Sequence, residues 1–330
     1  MLEYAEKKGG FFMNETINQE WINPDKVKYF NLLEYVSKIK LRDSVLFHLE
    51  DTGQNFEKYL KTLVRLCDYD DYVILYYWLD QTITELRKSA QIENHQFTNI
   101  DLFNGNLFFD KLSISHERIK KIHKFVCEES GTEVTEKGQY RKIPVDVGAD
   151  YESGHQVYWY APEPSDVKKF MDDYLVFYRT NSIKDIYNNP FLKSALAHLL
   201  FVRIHPFRDG NGRTARIIQN ISFTSGINRV YNTKLKLSPL NISQNIAINK
   251  YSYVDKLDRI HFDINYDNNE KINNWFEFIL NMYDEQLYFQ ETRLPKFEQA
   301  LINIQSLKKS EDDLNNVAKK FEMDKIKKLF

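Results

Sequence analysis

The sequence predicts a mainly α-helical fold with a single β-hairpin. Glycine and proline number only 11 and 8 among 330 residues, about half of their average usage. Few turn-forming residues favour long helices over a barrel or a sandwich. Aromatic residues make up 15% of the chain, which supplies bulky side chains for a packed core and excludes a disordered chain.

Helical segments follow one another along most of the chain. Apolar residues recur three and four positions apart, the spacing that places them on one helix face. The first predicted helix begins at Asn23-Pro24-Asp25, where Asn suits the N-cap and Pro the first turn. Further helices are predicted over 70–89, 98–103 (a short helix or turn), 115–129, 165–178, 190–204, 211–225, 241–257 and 271–292, followed by a charged helical tail from 308.

The segment 131–162 differs from the rest of the chain. Its runs RKIPV and QVYWY alternate or favour β-branched and aromatic residues, and glycines stand between and beside them. Such runs separated by turn residues predict a β-hairpin.

Charge and cysteine content exclude several classes of protein. Lys and Arg total 45 against 47 Asp and Glu, a net charge of −2, which argues against a generic nucleic-acid binder. Cys67 and Cys127 are too few for a disulfide framework. The first 13 residues lack the apolar core of a signal peptide, and the longest wholly apolar run, 73–79, is too short to span a bilayer. We therefore expect a soluble, cytoplasmic protein without a membrane partner.

The chemistry is concentrated in His205–Arg216, with the sequence HPFRDGNGRTAR. Pro206 has no N–H to donate and ends the apolar helix before it. The turn Gly210–Gly212 tolerates the positive φ that bends a chain sharply. The helix then resumes with Arg213 and Arg216 three positions apart, on one face.

This arrangement predicts a pocket for a polyphosphate. Amide groups of a glycine-rich turn point into a concavity, and the following helix adds its positive dipole end. The two guanidiniums offer forked donors to phosphate oxygens. Asp209 at the rim is a hard oxygen ligand suited to Mg²⁺. His205 is available in its neutral form to take a proton.

Each of these features alone has an ordinary structural explanation. A His before Pro is commonly a packed residue, two Arg on one face commonly form surface ion pairs, and Asn-Gly is a common turn. Their order on one helix-turn-helix favours a functional site. The segment is not a Walker A loop, because the Lys-[Ser/Thr] pair is missing, nor a Rossmann fingerprint, because no strand precedes it.

The segment resembles the signature of the Fic family (Fic/Doc superfamily), His-x-Phe-x-[Asp/Glu]-Gly-Asn-Gly-Arg-x-x-Arg, and fills every specified position. The likeness extends from about residue 89 to residue 283. It implies a Fic-type helical bundle with the hairpin as a flap, and transfer of AMP from ATP to a hydroxyl side chain of a protein. Doc-type members, which phosphorylate, carry Ala and Lys where this chain has Gly210 and Gly212, so nucleotidyl transfer is favoured here.

The resemblance also implies roles for individual residues. His205 would be the catalytic base, Asp209 the magnesium ligand, and Phe207 the anchor of the loop. The stretch Asn249-Lys250-x-x-Tyr253 is similar to the family's Asn-Arg-x-x-Tyr near the adenine, with Lys in place of Arg; alternatively, Tyr253 belongs to the core. The residues implied to bind the nucleotide and its phosphates are Gly210, Asn211, Gly212, Arg213, Arg216, Asn249 and Tyr253.

An upstream acid is expected to hold the enzyme inactive. The segment Ser89-Ala-Gln-Ile-Glu93-Asn94 matches the family's inhibitory helix, [Ser/Thr]-x-x-x-Glu-[Gly/Asn], placed before the core as in class II members. The arginines need a counter-charge when no nucleotide is bound. The resemblance implies that Glu93 pairs with Arg216 and misorients ATP; the alternative is a helix end with an exposed acid.

The hairpin, at about 141–160, stands where the family places a flap that aligns a target segment by main-chain pairing. Alternatively, it simply covers the core. His116 and His123 lie seven residues apart on one helix face without a third ligand, so we interpret them as packing or surface residues.

Three regions are predicted: an N-terminal helical region over 1–110 with the inhibitory helix at about 82–94, a catalytic core over 111–292, and a helical tail over 293–330. The tail would serve dimerisation, regulation or packing.

Alternatives to AMPylation are another phosphate transfer, removal of AMP, or a non-catalytic nucleotide-sensing interaction module. The expected partners are ATP, a protein with a Ser, Thr or Tyr hydroxyl, and a second copy of the chain.

Overall fold

The computed structural model describes residues 27–67, 71–96, 112–151, 154–180, 188–235 and 237–307. Within these ranges the chain forms ten α-helices and one antiparallel pair of strands, which confirms the predicted mainly α fold with one hairpin. The elements are α1 (Leu32–Ser37), α2 (Asp43–Cys67), α3 (Asp71–Ile92), α4 (His116–Glu129), β1 (Asp146–Tyr151), β2 (Gly154–Tyr160), α5 (Pro164–Arg179), α6 (Pro190–Ile204), α7 (Asn211–Tyr231), α8 (Ser243–Ile248), α9 (Lys250–Asp258) and α10 (Asn269–Leu307).

The helices α6 and α7 form the centre of the bundle. Every residue of α6 is buried, as expected of a helix that other elements surround on all sides. Asn189 caps its first turn, because its Oδ1 accepts hydrogen bonds from the amides of Phe191 and Leu192. The two helices pack closely against each other, so the short turn that joins them is supported from both sides.

The remaining helices surround this pair. α10 packs against α2 and α6, α5 against α6, and α4 against α7. Trp275 of α10 is fully buried and donates from its indole nitrogen to the carbonyl of Ala195, 3.0 Å away. α3 packs against α7 and α8, which brings its C-terminal end to the beginning of α7.

The hairpin is attached to α6. Asp146 of β1 pairs with Tyr160 of β2, and a bulge follows Val147, which increases the local twist. Trp159 is buried under Arg203 of α6, whose guanidinium lies 4.5 Å from the ring centroid. This cation–π contact fixes one end of β2 close to the end of α6.

The first predicted helix and the one predicted over 241–257 differ from the structure. The first is only six residues long and begins after Asn31, whose Oδ1 accepts from the amides of Leu33 and Glu34; residues 27–31 are not helical, and the predicted start at 23–25 lies outside the described residues. The helix predicted over 241–257 is interrupted at Asn249, between α8 and α9. The Asn249 side chain donates to the carbonyl of Asn245, and such bonds compete with regular helical pairing.

One helix, α2, was not predicted. Its buried side chains, Val45, Phe56, Tyr59, Leu60 and Leu63, lie at helical spacing, so the signal was present although Gly53 weakens the helical pattern. α10 continues past the predicted end at 292. The predictions for 98–103 and from 308 onward lie outside the described residues, and the division into three regions stays a prediction. In the described ranges no helix is long and apolar enough to cross a bilayer.

Candidate active site

The turn between α6 and α7 is held by its own side chains. His205 ends α6 at φ 49° and Gly210 precedes α7 at φ 74°, the left-handed region that suits glycine and strains other residues. The Asn211 side chain accepts from the amide of Phe207 and donates to its carbonyl, both at 2.9 Å. Phe207 is fully buried and stacks on His123 with ring centroids 3.7 Å apart. The first amides of α7, which have no intrahelical acceptor, therefore face a fixed direction.

The His205 imidazole is oriented for proton transfer. Its Nδ1 lies 3.1 Å from the Val202 carbonyl, an acceptor that places the ring proton on Nδ1 and leaves the Nε2 lone pair free. Burial lowers the pKa of His205 to about 4, and the positive charge of Arg141 acts in the same direction. The imidazole is therefore neutral around pH 7 and able to accept a proton.

Arg213 lies at the bottom of the site with its side chain 1% exposed. Its Nε donates to Glu93 Oε2 at 2.6 Å, and its Nη2 donates to Asp209 Oδ1 at 3.1 Å. The third nitrogen, Nη1, contacts the hydroxyls of Ser130 and Thr132 at the end of α4. The guanidinium is thus fixed by three different elements.

Arg216 lies one turn further along α7 and is 2% exposed. Its Nη2 donates to Glu93 Oε1 at 2.6 Å and to the Ser89 carbonyl at 2.8 Å, while its Nε donates to the Ser89 hydroxyl at 2.7 Å. Both guanidiniums therefore point to the same place, and both are bound there by the end of α3.

Glu93 bridges the two arginines, whereas the sequence predicted a pairing with Arg216 alone. Burial opposes its ionisation, but the charges of Arg216 and Arg213 outweigh this effect and lower the pKa of Glu93. A Cβ atom on Gly212 would lie only 2.1 Å from Glu93 Oε1. The absence of a side chain at Gly212 thus leaves room for an oxygen atom directly above the start of α7.

The residues next to Glu93 form the C-terminal end of α3. Asn94 adopts φ 59°, a left-handed conformation that Gly and Asn tolerate best. The amide of His95 then bonds back to the Ala90 carbonyl at 3.0 Å, which closes the helix end. Ser89 faces Arg216, as described above. The three predicted inhibitory residues thus form the C-terminal end of one helix, with Glu93 half-buried at 25% exposure.

Asp209 lies at the rim, with its side chain 45% exposed. Oδ1 accepts from its own neighbour, the amide of Gly210, and from Arg213, whereas Oδ2 bonds to none of the described residues. The described ranges contain no group of three His, Cys, Asp or Glu side chains able to hold a metal. One carboxylate oxygen beside the predicted phosphate pocket nevertheless fits Mg²⁺, which usually takes one or two carboxylates and completes its shell with phosphates and water.

Tyr253 lies behind the site rather than on its surface. Its hydroxyl is 2.9 Å from His198 Nε2, and Arg216 Nη1 donates to it at 3.4 Å. His198 Nδ1 in turn contacts Gln219 Oε1 at 2.8 Å. The Asn249 carbonyl accepts from the amide of Tyr253 at 3.0 Å, and its side chain donates to the Asn245 carbonyl and to Met282 Sδ. Contact of either residue with a nucleobase stays a prediction.

Glu85, eight residues before Glu93, anchors α3. Its carboxylate accepts from the amide and hydroxyl of Ser243, at 3.0 and 2.5 Å, and from Asn220 Nδ2 at 3.0 Å. Burial raises the pKa of Glu85, while these donors act against the shift. The C-terminal end of α3 is thereby held against α7 and α8 by a second buried carboxylate.

Sequence reasoning missed three supporting residues. His198 belongs to an apolar helix, and Arg141 was predicted as the start of the hairpin but lies in the loop before β1, which begins at Asp146, so neither carried a motif. His123 was interpreted as a packing residue; it is buried, accepts from the Gly138 amide at Nδ1, and lies with Nε2 2.8 Å from the Asp209 carbonyl. Burial lowers the pKa of His123 to about 4, so the neutral ring connects α4 to the turn.

Comparison with known proteins agrees with this geometry. A family model described as the Fic/DOC family matches residues 113–222, the span from α4 to the middle of α7. The chain is 33% identical over 135 residues to a protein adenylyltransferase Fic from Drosophila grimshawi, covering 39% of this chain and 24% of that protein. It is 33% identical over 125 residues to a protein of the same name from Aedes aegypti, covering 38% and 21%. The chain thus spans about a quarter of the length of these curated relatives.

A solved structure extends the likeness to the fold. The crystal structure of a Fic family protein from Desulfovibrio desulfuricans G20 superposes with a TM-score of 0.54 at 18% identity, covering 77% of this chain and 76% of that one. At this identity the match concerns the fold alone. The matches agree with the helical pair α6–α7 and the intact motif at its junction. We conclude that the chain contains a Fic/DOC family domain over residues 113–222.

Proposed function

We propose that this protein is an adenylyltransferase that transfers AMP from ATP to a hydroxyl side chain of another protein. The observation that carries the proposal is a neutral imidazole beside two buried arginines and the start of a helix. Such a site binds a polyphosphate and offers a base within the same turn. The curated relatives named protein adenylyltransferase support the reaction class.

The chain's residues divide the work of an in-line displacement. A target hydroxyl oxygen bonds to the α-phosphorus, the bond from that phosphorus to the bridging oxygen breaks, and pyrophosphate leaves. His205 Nε2 takes the hydroxyl proton. Arg213, Arg216 and the amides of the turn bind the outer phosphates and stabilise the charge that develops on them. Catalysis of this kind depends mainly on positioning and charge.

Mg²⁺ fits the proposed reaction through Asp209. When bound, the ion would neutralise charge on the phosphates of ATP. The exposed Oδ2 of Asp209 is the oxygen available for it. Asn249 and Tyr253 are proposed to lie towards the nucleobase.

We further propose that the protein is autoinhibited by Glu93. Its carboxylate uses one donor on each guanidinium and sits over Gly212, where phosphate oxygens would otherwise bind. ATP must therefore displace two short charged hydrogen bonds or bind with its outer phosphates elsewhere. Ser89 and Asn94 support the inhibitory position, the first by binding Arg216 and the second by ending the helix.

The same proposal includes a protein target with a Ser, Thr or Tyr hydroxyl and assembly with a second copy of the chain. The hairpin edge would receive the target segment by strand addition. We propose that the protein acts in the reducing cytoplasm, because the chain has only two cysteines.

Labelled ATP distinguishes this reaction from its alternatives. Purified wild-type, Glu93→Gly and His205→Ala proteins are incubated with α-labelled or γ-labelled ATP and a cell lysate. Transfer of label from the α position alone, strongest in Glu93→Gly and lost in His205→Ala, supports the proposal. Transfer from the γ position alone would indicate phosphorylation, release of AMP from a premodified protein would indicate the reverse reaction, and binding without any transfer would indicate a nucleotide-sensing module.

A further inference from the structure

Arg141, in the loop between α4 and β1, is a buried cation outside the phosphate pocket. It is 4% exposed, and the described residues place no carboxylate within ion-pair distance of its guanidinium. Within the described ranges, its side-chain hydrogen bonds all go to backbone carbonyls. Burial lowers the pKa of Arg141 to about 10, so it remains charged near neutral pH. The negative charge of Glu163 acts against this shift without bonding to the guanidinium. A buried charge without a directly bonded carboxylate is costly, and its position therefore calls for an explanation.

Two of its bonds hold the end of α6. Nε donates to the carbonyl of His205 at 2.8 Å, and the backbone amide of Arg141 donates to the carbonyl of Pro206 at 2.9 Å. These carbonyls belong to the two residues where the chain leaves the helix. His205 adopts φ 49° there, a conformation that the surroundings must enforce.

The other two bonds hold the ends of the hairpin. Nη1 donates to the carbonyl of Ile143, before β1, at 3.2 Å, and Nη2 donates to the carbonyl of Pro162, after β2. Between these positions the amide of Ala161 donates to Val145 at 3.3 Å. One planar group thus binds both ends of the hairpin and the backbone of His205.

This connection depends on the chemistry of arginine. A guanidinium presents donors in three directions within one plane, whereas a lysine ammonium is a single point on a flexible stem. A lysine could reach one or two of the three carbonyls but could not hold all of them in a fixed relation.

We propose that Arg141 is a positioning residue that couples the β1–β2 hairpin to His205. It sets the position of the imidazole relative to the strand edge, so that movement of the hairpin reaches the His205 backbone. The catalytic consequence rests on the proposed function: a target hydroxyl presented by the hairpin must meet His205 Nε2, and Arg141 determines whether the two are aligned.

Hydrogen exchange followed by mass spectrometry tests the coupling without any assay of activity. Arg141→Lys is compared with the wild-type chain and with Arg229→Lys, a matched change of an exposed arginine that also donates to a carbonyl, that of Asn188. In Arg141→Lys we expect amides of 146–160 and of 203–210 to exchange faster together, by about tenfold or more, because a lysine cannot hold the carbonyls of both segments in a fixed relation. Exchange in α10 and in Arg229→Lys should stay at the wild-type rate.

The coupling is refuted if only one of the two segments exchanges faster, or if neither does. If Arg141→Lys does not fold, Arg141→Gln, which removes the buried charge and keeps an amide donor, replaces it with the same expectation.

A second measurement addresses the catalytic consequence. In the Glu93→Gly background, Arg141→Lys should reduce transfer of α-label while calorimetry finds Mg–ATP affinity unchanged within about twofold, since Arg141 does not touch the phosphate pocket. Equal losses of affinity and transfer would assign Arg141 to nucleotide binding instead and overturn the proposal. If Glu93→Gly alone transfers no label, the proposed function fails, whereas the exchange result still decides the coupling.

Discussion

Replacing Glu93 by glycine removes the counter-charge of two buried arginines, and the structure allows the effect on ATP binding to be estimated. Glu93 accepts one bond of 2.6 Å from each guanidinium, and a hydrogen bond between charged groups contributes about 1.5–3 kcal/mol. Taking the lower value for both bonds, the carboxylate opposes phosphate binding by about 3 kcal/mol, which corresponds to roughly a hundredfold in affinity.

The same substitution should destabilise the protein without ligand. Arg216 loses its bonded carboxylate, and of the described carboxylates Arg213 keeps only that of Asp209 at the rim. Loss of one partner of a buried ion pair costs about 3–5 kcal/mol. We therefore expect Glu93→Gly to unfold at lower temperature than wild type in the absence of ATP and to gain more stability from Mg–ATP. Glu93→Gln, which keeps the shape but not the charge, should unfold at a temperature between those of wild type and Glu93→Gly.

Isothermal titration calorimetry with Mg–ATP and a thermal melt at matched nucleotide concentrations measure both effects, and transfer of α-label measures the reaction. Affinity in Glu93→Gly equal to or weaker than wild type, with unchanged label transfer, would refute the idea that this carboxylate competes with the phosphates.

Further substitutions test other parts of the site. His205→Ala in the Glu93→Gly background should lower label transfer by about 10²- to 10⁴-fold with little change in ATP affinity; a comparable loss of affinity would contradict a role as base. Because burial lowers the pKa of His205 to about 4, the neutral, proton-accepting form persists below pH 6, and kcat/KM should fall only as the pH approaches about 4. An inflection of kcat/KM near pH 6.5, with the chain still folded by circular dichroism, would contradict this expectation. Gly212→Ala places a carbon 2.1 Å from Oε1 of Glu93, so the carboxylate should be displaced. ATP binding measured by calorimetry should nevertheless weaken, because the new carbon occupies the place proposed for a phosphate oxygen, and tighter binding than wild type would contradict that placement. Glu85→Gln turns an NH₂ donor towards the donors of Ser243 or Asn220 and should lower the free energy of unfolding in urea by about 1–3 kcal/mol; an unchanged midpoint would mean that α3 is not anchored there.

Local chemistry explains which structural elements were predictable. The apolar helix ended by Pro206, the glycine-rich turn and the helix that follows are encoded in adjacent residues, and the structure has them at these positions. The helix α2 was overlooked although its apolar residues lie at helical spacing, because Gly53 weakens the pattern. The interruption at Asn249 also escaped prediction, since it depends on a side chain that bonds to the backbone of its own helix.

The amino-acid sequence by itself determined the turn that carries the candidate site, because His205, Arg213 and Arg216 lie within twelve consecutive residues whose turn and helix chemistry is local. Only the tertiary structure decided that Glu93 binds both arginines, from 120 and 123 residues away, and that Arg141 connects the hairpin to the His205 backbone. Such contacts arise where separately formed helices pack against one another, and no short-range pattern of residue types specifies which side chains will then meet.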